Sequence, residues 1–139
     1  MKPHWTQQLV KLGACEPAVV WARDYPSLEA AWAACERGDW MMWIAGRLSG
    51  KPGSAKRRKF LLALRNCLGL TAKPHEPIER WYLSSSANAS VWDAASCASV
   101  SMGAAAFSTH DWTAAIKRCA DIARKHYPTP PPLPKRITQ

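Results

Sequence analysis

Between Trp40 and His75 there is not one aspartate or glutamate. The window holds eight bases instead: Arg47, Lys51, Lys56, Arg57, Arg58, Lys59, Arg65 and Lys73. Residues 1–39 set four bases against five acids, and residues 76–139 seven against five, so nearly all of the net charge of +9 comes from one segment. Phe and Tyr are also scarce, two and three, beside eight Trp. A core built from them must rest on a few very large anchors among many alanines. No run of 18 uncharged apolar residues occurs, so no membrane span is expected. The opening MKPHWTQQLVKLG has no unbroken apolar stretch of the signal-peptide kind, and a cytoplasmic chain is expected. Five cysteines (Cys15, Cys35, Cys67, Cys97, Cys119) form no CxxC, which speaks against a structural zinc site. They read as buried, reduced thiols serving as small hydrophobes.

Two-residue alternation is missing as well, and apolar residues recur at helical spacing throughout. Leu9, Val10 and Leu12 make a first stripe, which Gly13 can end in a left-handed cap. Val19, Val20 and Trp21 give a short second helix before the turn Asp24-Tyr25-Pro26. Ser27 reads as N-cap of a third helix running to Gly38, with Leu28, Ala31, Trp32 and Cys35 on one face. Asp39 is then expected to cap the next helix, WMMWIAGRL, and so short a turn makes the two helices neighbours. SGKPGS (49–54) is the clearest loop. Ser54 can cap a helix through AKRRKFLLALRNCLG, with Phe60 or Leu61, Leu64 and Leu68 inward. After TAKPHEP, IERWYL and SSSANAS, the S-x-x-D of Ser90 and Asp93 resembles a capping box. It opens VWDAASCASVSMGAAAF, whose small side chains suit a central helix. A last helix begins at STHD, with Trp112, Ala115, Ile116, Cys119, Ile122, Ala123 and His126 on one face. The expectation is an all-α, compact single-domain bundle of five to seven helices over residues 1–127. An extended Pro-rich tail, residues 128–139, is expected outside the fold.

The segment AWAACERGDWMMW (31–43) gathers three Trp, a Cys and charged residues, and invites a catalytic reading. Nucleophilic or acid–base chemistry needs a partner base within hydrogen-bond reach. Cys35 has no His near it in sequence, and His4, His75, His110 and His126 are isolated. No HExxH or ExxH is present, and SGKPGS lacks the P-loop pattern. Catalytic residues, a metal site and cofactors are therefore not expected. Trp32, Trp40 and Trp43 read as packing at a helical corner, each indole N–H finding a carbonyl.

The features Leu12-Gly13-Ala14-Cys15, Trp21-Ala22, Ala31-Trp32, Cys35, Arg37-Gly38-Asp39-Trp40 and Trp43 resemble a family signature. The family consists of small helical proteins of bacteriophages and bacteria, some of which carry an immunity-protein label. The likeness is densest over residues 9–48. It continues through Arg57-Arg58, Cys67, Ile78-Glu79 with Trp81, and CADIAR (119–124). It implies an all-α fold and a phage or mobile-element setting, with no established activity. A small phage accessory protein could inhibit a bacterial defence, CRISPR–Cas included.

In KPGSAKRRKF, four bases fall in the first turn of a helix, where the dipole disfavours positive charge by roughly 0.3–1 kcal/mol each. The placement suits an anionic partner, although a solubilising patch would read the same way. Lys51, Lys56, Arg57, Arg58, Lys59 and Arg65 are the candidate partner-binding residues. Their partner would be an acidic host protein or nucleoprotein complex, and the chain a non-catalytic stoichiometric inhibitor. The alternative is non-sequence-specific binding of an RNA or DNA backbone by the same residues, since no recognition helix or RRM motif is evident. A remote third reading is a small enzyme using Cys35 or His110.

Overall fold

The structure, a computed structural model, describes residues 4–68, 87, 90, 95–96 and 112–133. Among them the chain is all-helical: α1 (Thr6–Leu12), α2 (Glu16–Ala22), α3 (Leu28–Ala34), α4 (Gly38–Arg47), α5 (Ala55–Leu68) and α6 (Trp112–His126). Local chemistry sets several of the boundaries as expected. Gly13 adopts φ 92°, and Gly13 N and Ala14 N donate to Val10 O and Leu9 O at 3.0 Å each, the Schellman arrangement. Ser27 Oγ accepts from Ala30 N at 3.2 Å, and Ser54 Oγ from Arg57 N at 3.2 Å, so α3 and α5 both begin on serine caps.

The α3–α4 corner departs from the sequence reading. Helix α3 stops at Ala34 rather than Gly38, with Cys35 extended (ψ 130°). Its terminal carbonyls are met from outside, because Arg124 Nη1 donates to Trp32 O (3.1 Å) and to Cys35 O. Asp39 is not the cap of α4 but sits in its first turn, where Arg37 holds it through Nε–Oδ1 (2.9 Å) and Nη2–Oδ2 (2.7 Å). Gly38 opens α4 instead of ending α3. A Cβ there would meet Cys119 Cβ and lie 2.6 Å from Ala120 N. The glycine is thus what lets α4 cross α6 in backbone contact.

With Ala115 and Ile116 of α6 in a separate small cluster, one main core runs through the helices. Trp32, Met41, Met42, Phe60, Leu64 and Cys119 are among its buried members. Gly46 brings α4 against the ring of Phe60 and against Ala95, which is helical and buried. Of the Ser/Ala-rich segment expected to form a central helix, residues 95–96 alone are described; the rest of it, with IERWYL, most of SSSANAS, Asp93 and STHD, lies outside the described residues. Leu61, an alternative to Phe60 in the inward face of α5, is only partly buried, while Phe60 and Leu64 are fully so. Past α6, the chain lies against the fold further than expected: Pro130 is buried and Leu133 packs on the core. Trp32 Nε1 donates to Tyr127 O at 2.8 Å, fixing the start of that segment. Residues 134–139 lie outside the described set. No helix among the described residues is long and apolar enough to cross a membrane.

Candidate functional site

Two regions stand out, a cationic end of α5 and a cavity among the first four helices. The SGKPGS loop turns on Gly50 (φ 77°) and Gly53 (φ 80°), conformations that side-chain-bearing residues adopt reluctantly. It is tied to α5 by Arg57, whose Nε donates to Ser49 Oγ (2.8 Å) and whose Nη2 donates to Gly50 O (2.9 Å). Ser49 Oγ in turn donates to Gly46 O at 2.7 Å, linking loop, α4 and α5. Arg57 is 0 % exposed, and burial lowers its pKa from the usual guanidinium value. Its assignment as a partner-binding residue is therefore corrected. At position 57 the side chain turns inward on the same face as Phe60 and Leu64, and its Nε and Nη2 donors go to Ser49 and Gly50 inside the protein.

The other five candidates, Lys51, Lys56, Arg58, Lys59 and Arg65, are exposed. Lys51 lies in the loop before α5, and the other four fan over an arc of about 180° around the helix at 100° per residue, with half-exposed Leu62 among them. Lys51, Lys56, Arg58 and Lys59 make a cationic cap at the N-terminal end of the helix, whereas Arg65 stands apart from them in its last turn. Lys51, Lys56, Arg58 and Lys59 form no ion pair with any carboxylate among the described residues. Arg58 Nη1 donates to Gly53 O (2.8 Å), and Lys59 Nζ rests 4.6 Å from the Tyr127 ring centroid, so both are oriented while their charge stays uncompensated. Lys73 lies outside the described residues.

The AWAACERGDWMMW segment is more than a packed corner. Trp32 is buried and hydrogen-bonded as expected, but Trp40 and Trp43 are only partly buried. With Trp5, Trp21, Leu9 and Met41 they line a cavity of about 270 Å³ drawn from α1, α2, α3 and α4. Trp5 Nε1 donates to Tyr25 O at 2.8 Å, whereas the indole N–H groups of Trp21, Trp40 and Trp43 find no acceptor among the described residues. Trp21 sits 4.7 Å from Tyr25 and 6.0 Å from Trp40, both tilted, which keeps the wall aromatic. The carboxylate on the wall, Asp39, is 8 % exposed and already doubly bonded to Arg37. That bond raises the Arg37 pKa, and the guanidinium also stacks 4.3 Å from the Trp40 ring.

The thiols divide. Cys35, Cys67 and Cys119 are buried and free, as expected, but Cys15 is exposed because it occupies the extended residue before α2, on the cavity wall. Burial pushes the Cys35 thiol up, against the thiolate that nucleophilic chemistry needs. Cys67, whose thiol donates to Cys119 O at 3.7 Å, is raised as well, first by the neighbouring Cys119 side chain and then by burial. His110 and His75 lie outside the described residues, and His126 Nε2 is 2.7 Å from Asn66 Nδ2. Among the described residues no three His, Cys, Asp or Glu side chains come together to hold a metal. Sequence periodicity missed the cavity because a tryptophan on a wall and a tryptophan in a core have the same spacing. The repeated Trp on four short consecutive helices was the available signal. No family model matches the chain, and neither the curated proteins nor the solved structures hold a match to it.

Proposed function

We propose that the chain is a non-catalytic interaction protein that engages an acidic host protein or nucleoprotein complex through the cationic end of α5. On this reading, as the resemblance to small phage and bacterial helical proteins implies, it acts stoichiometrically in the host cytoplasm against a defence system such as CRISPR–Cas. One observation carries it: Lys51, Lys56, Arg58 and Lys59 are exposed and unpaired among the described residues, on a loop and helix end held by buried Arg57. Clustered charges of one sign repel each other, so leaving them uncompensated favours an external anion, chiefly by raising the association rate and setting orientation. The same cations suit a nucleic-acid backbone, which is the second reading.

Charge reversal separates the two. The triple variant Lys56→Glu, Arg58→Glu, Lys59→Glu should fold with an unchanged melting temperature and lose a partner that the wild type captures from nuclease-treated host extract. Capture that persists in the variant would refute the assignment. Capture that vanishes on nuclease treatment of the wild type would favour nucleic acid. In that case affinity for an oligonucleotide should drop on the order of a hundredfold between 50 and 200 mM salt, as about four phosphate contacts require.

A further inference from the structure

We infer that the cavity among α1–α4 is a binding site for a small, neutral, bicyclic aromatic ligand. Its volume of about 270 Å³ exceeds the ~150 Å³ of an engineered apolar cavity that accepts benzene, so a second fused ring fits. The wall is made by Trp5, Trp21, Trp40 and Trp43 with Leu9 and Met41. Indole faces favour an aromatic occupant through offset or edge-to-face contact, and methionine adapts to its outline. Charge decides against an ionic ligand. Asp39 has both oxygens on Arg37, and Arg37 is further engaged by the Trp40 ring, so an ion entering the cavity would lose its hydration without gaining an unpaired counter-charge. Interiors pack at a density of about 0.74 with few voids larger than a water. A space of this size lined by five tryptophans is thus an open site rather than an ordinary packing defect, in keeping with the apolar, largely preformed character of ligand pockets.

This site is separate from the cationic end of α5, and its test is independent of that reading. Titration of the full chain with indole or naphthalene by calorimetry should give one site with a dissociation constant on the order of 10–100 µM and a negative heat-capacity change. Ala18 lines the cavity from α2, and Val20 on the same helix is exposed. Ala18→Phe should weaken binding at least tenfold by filling the space, whereas Val20→Phe should leave it unchanged. If Ala18→Phe lowers the melting temperature sharply, Ala14→Leu, also on the wall, gives the same comparison. The charge-reversal triple should bind the aromatic ligand as the wild type does. Absence of binding at about 1 mM ligand, or equal affinity in the wall variants and the wild type, would overturn the site. An occupant that is a partner's side chain instead of a free small molecule would show itself as the first of these.

Discussion

Replacing Gly38 by alanine sets helix propensity against packing, and the two predict opposite signs. Gly38 is the first residue of α4, and its backbone needs no positive φ, so alanine is conformationally acceptable there. Propensity alone would reward the change by up to about 1 kcal/mol. The added Cβ, however, would stand 2.6 Å from Ala120 N and 2.8 Å from Cys119 C, with Cys119 Cβ nearer still. Two of those atoms are backbone of α6 and cannot swing aside. Restoring ordinary contact requires α4 and α6 to separate by roughly 0.8 Å, and a gap of that order forfeits a quarter to a half of each contact's attraction. Overpacking of this kind costs about 1–3 kcal/mol, and the helices concerned carry Met41, Met42, Cys119 and Ala120 of the core. The expected net loss is about 1–2 kcal/mol, or roughly 3–8 °C in melting temperature for a domain of this size. Urea unfolding followed by circular dichroism would measure it as a lower midpoint at unchanged slope. Gly53→Ala is the matched control: its φ is 80° but nothing lies within 4 Å of the new atom, so only about 1 kcal/mol of backbone strain is expected. A Gly38→Ala protein as stable as the wild type would refute the close crossing of α4 and α6.

Arg57→Met and Arg57→Lys should each lower stability by about 2–4 kcal/mol in the same unfolding assay. Methionine leaves the Gly50 carbonyl unmet, and an ammonium cannot serve Ser49 and Gly50 as a planar fork does. Arg58→Ala, on the exposed side, should change stability by less than about 0.5 kcal/mol, and equal losses at 57 and 58 would contradict the buried placement. Tyr127 supplies a pH test, because burial pushes its hydroxyl from 10 up to about 12. The unfolded chain then loses that proton first, so the contribution is intact below pH 10 and fades as pH rises to 12, by roughly 2–3 kcal/mol. Tyr127→Phe should flatten the decline in melting temperature over that interval. An identical decline in both proteins would show that the Tyr127 hydroxyl is not the buried group responsible.

Much of the local architecture was legible in the chain. Gly13 after Leu12, Ser27 before Leu28 and Ser54 before the α5 run announce helix ends through chemistry that acts within four residues, and the structure places each as that chemistry requires. Spacing also gives most of the inward faces of α5 and α6, Phe60 and Leu64 on one and Ala115, Ile116, Cys119 and Ala123 on the other, but Trp112 is exposed and Arg57 turns inward against that spacing. The α3–α4 corner was misread because its geometry is set from far along the chain. Arg124 satisfies the end of α3 across 92 positions, and α6 leaves no room for a side chain at Gly38.

The cationic window itself is a property of the sequence, since an acid-free stretch of eight bases needs no fold to exist. Which of those bases face outward was a tertiary decision. Arg47 donates to Leu12 O and Arg57 to Gly50 O, as Arg124 does to Trp32 O, so three arginines spend hydrogen bonds on backbone carbonyls of other segments. Lys51, Lys56 and Lys59 remain at the surface. A guanidinium carries five donors in a planar fork and tolerates desolvation better than a compact ammonium, so the same positive charge either braces the interior or meets a partner. Spacing along the chain does not distinguish those outcomes, because they depend on which carbonyls packing leaves within reach. The cavity has the same origin: periodicity marks tryptophans as apolar-facing, and only the packing of four short helices decides whether they close on each other or around a space.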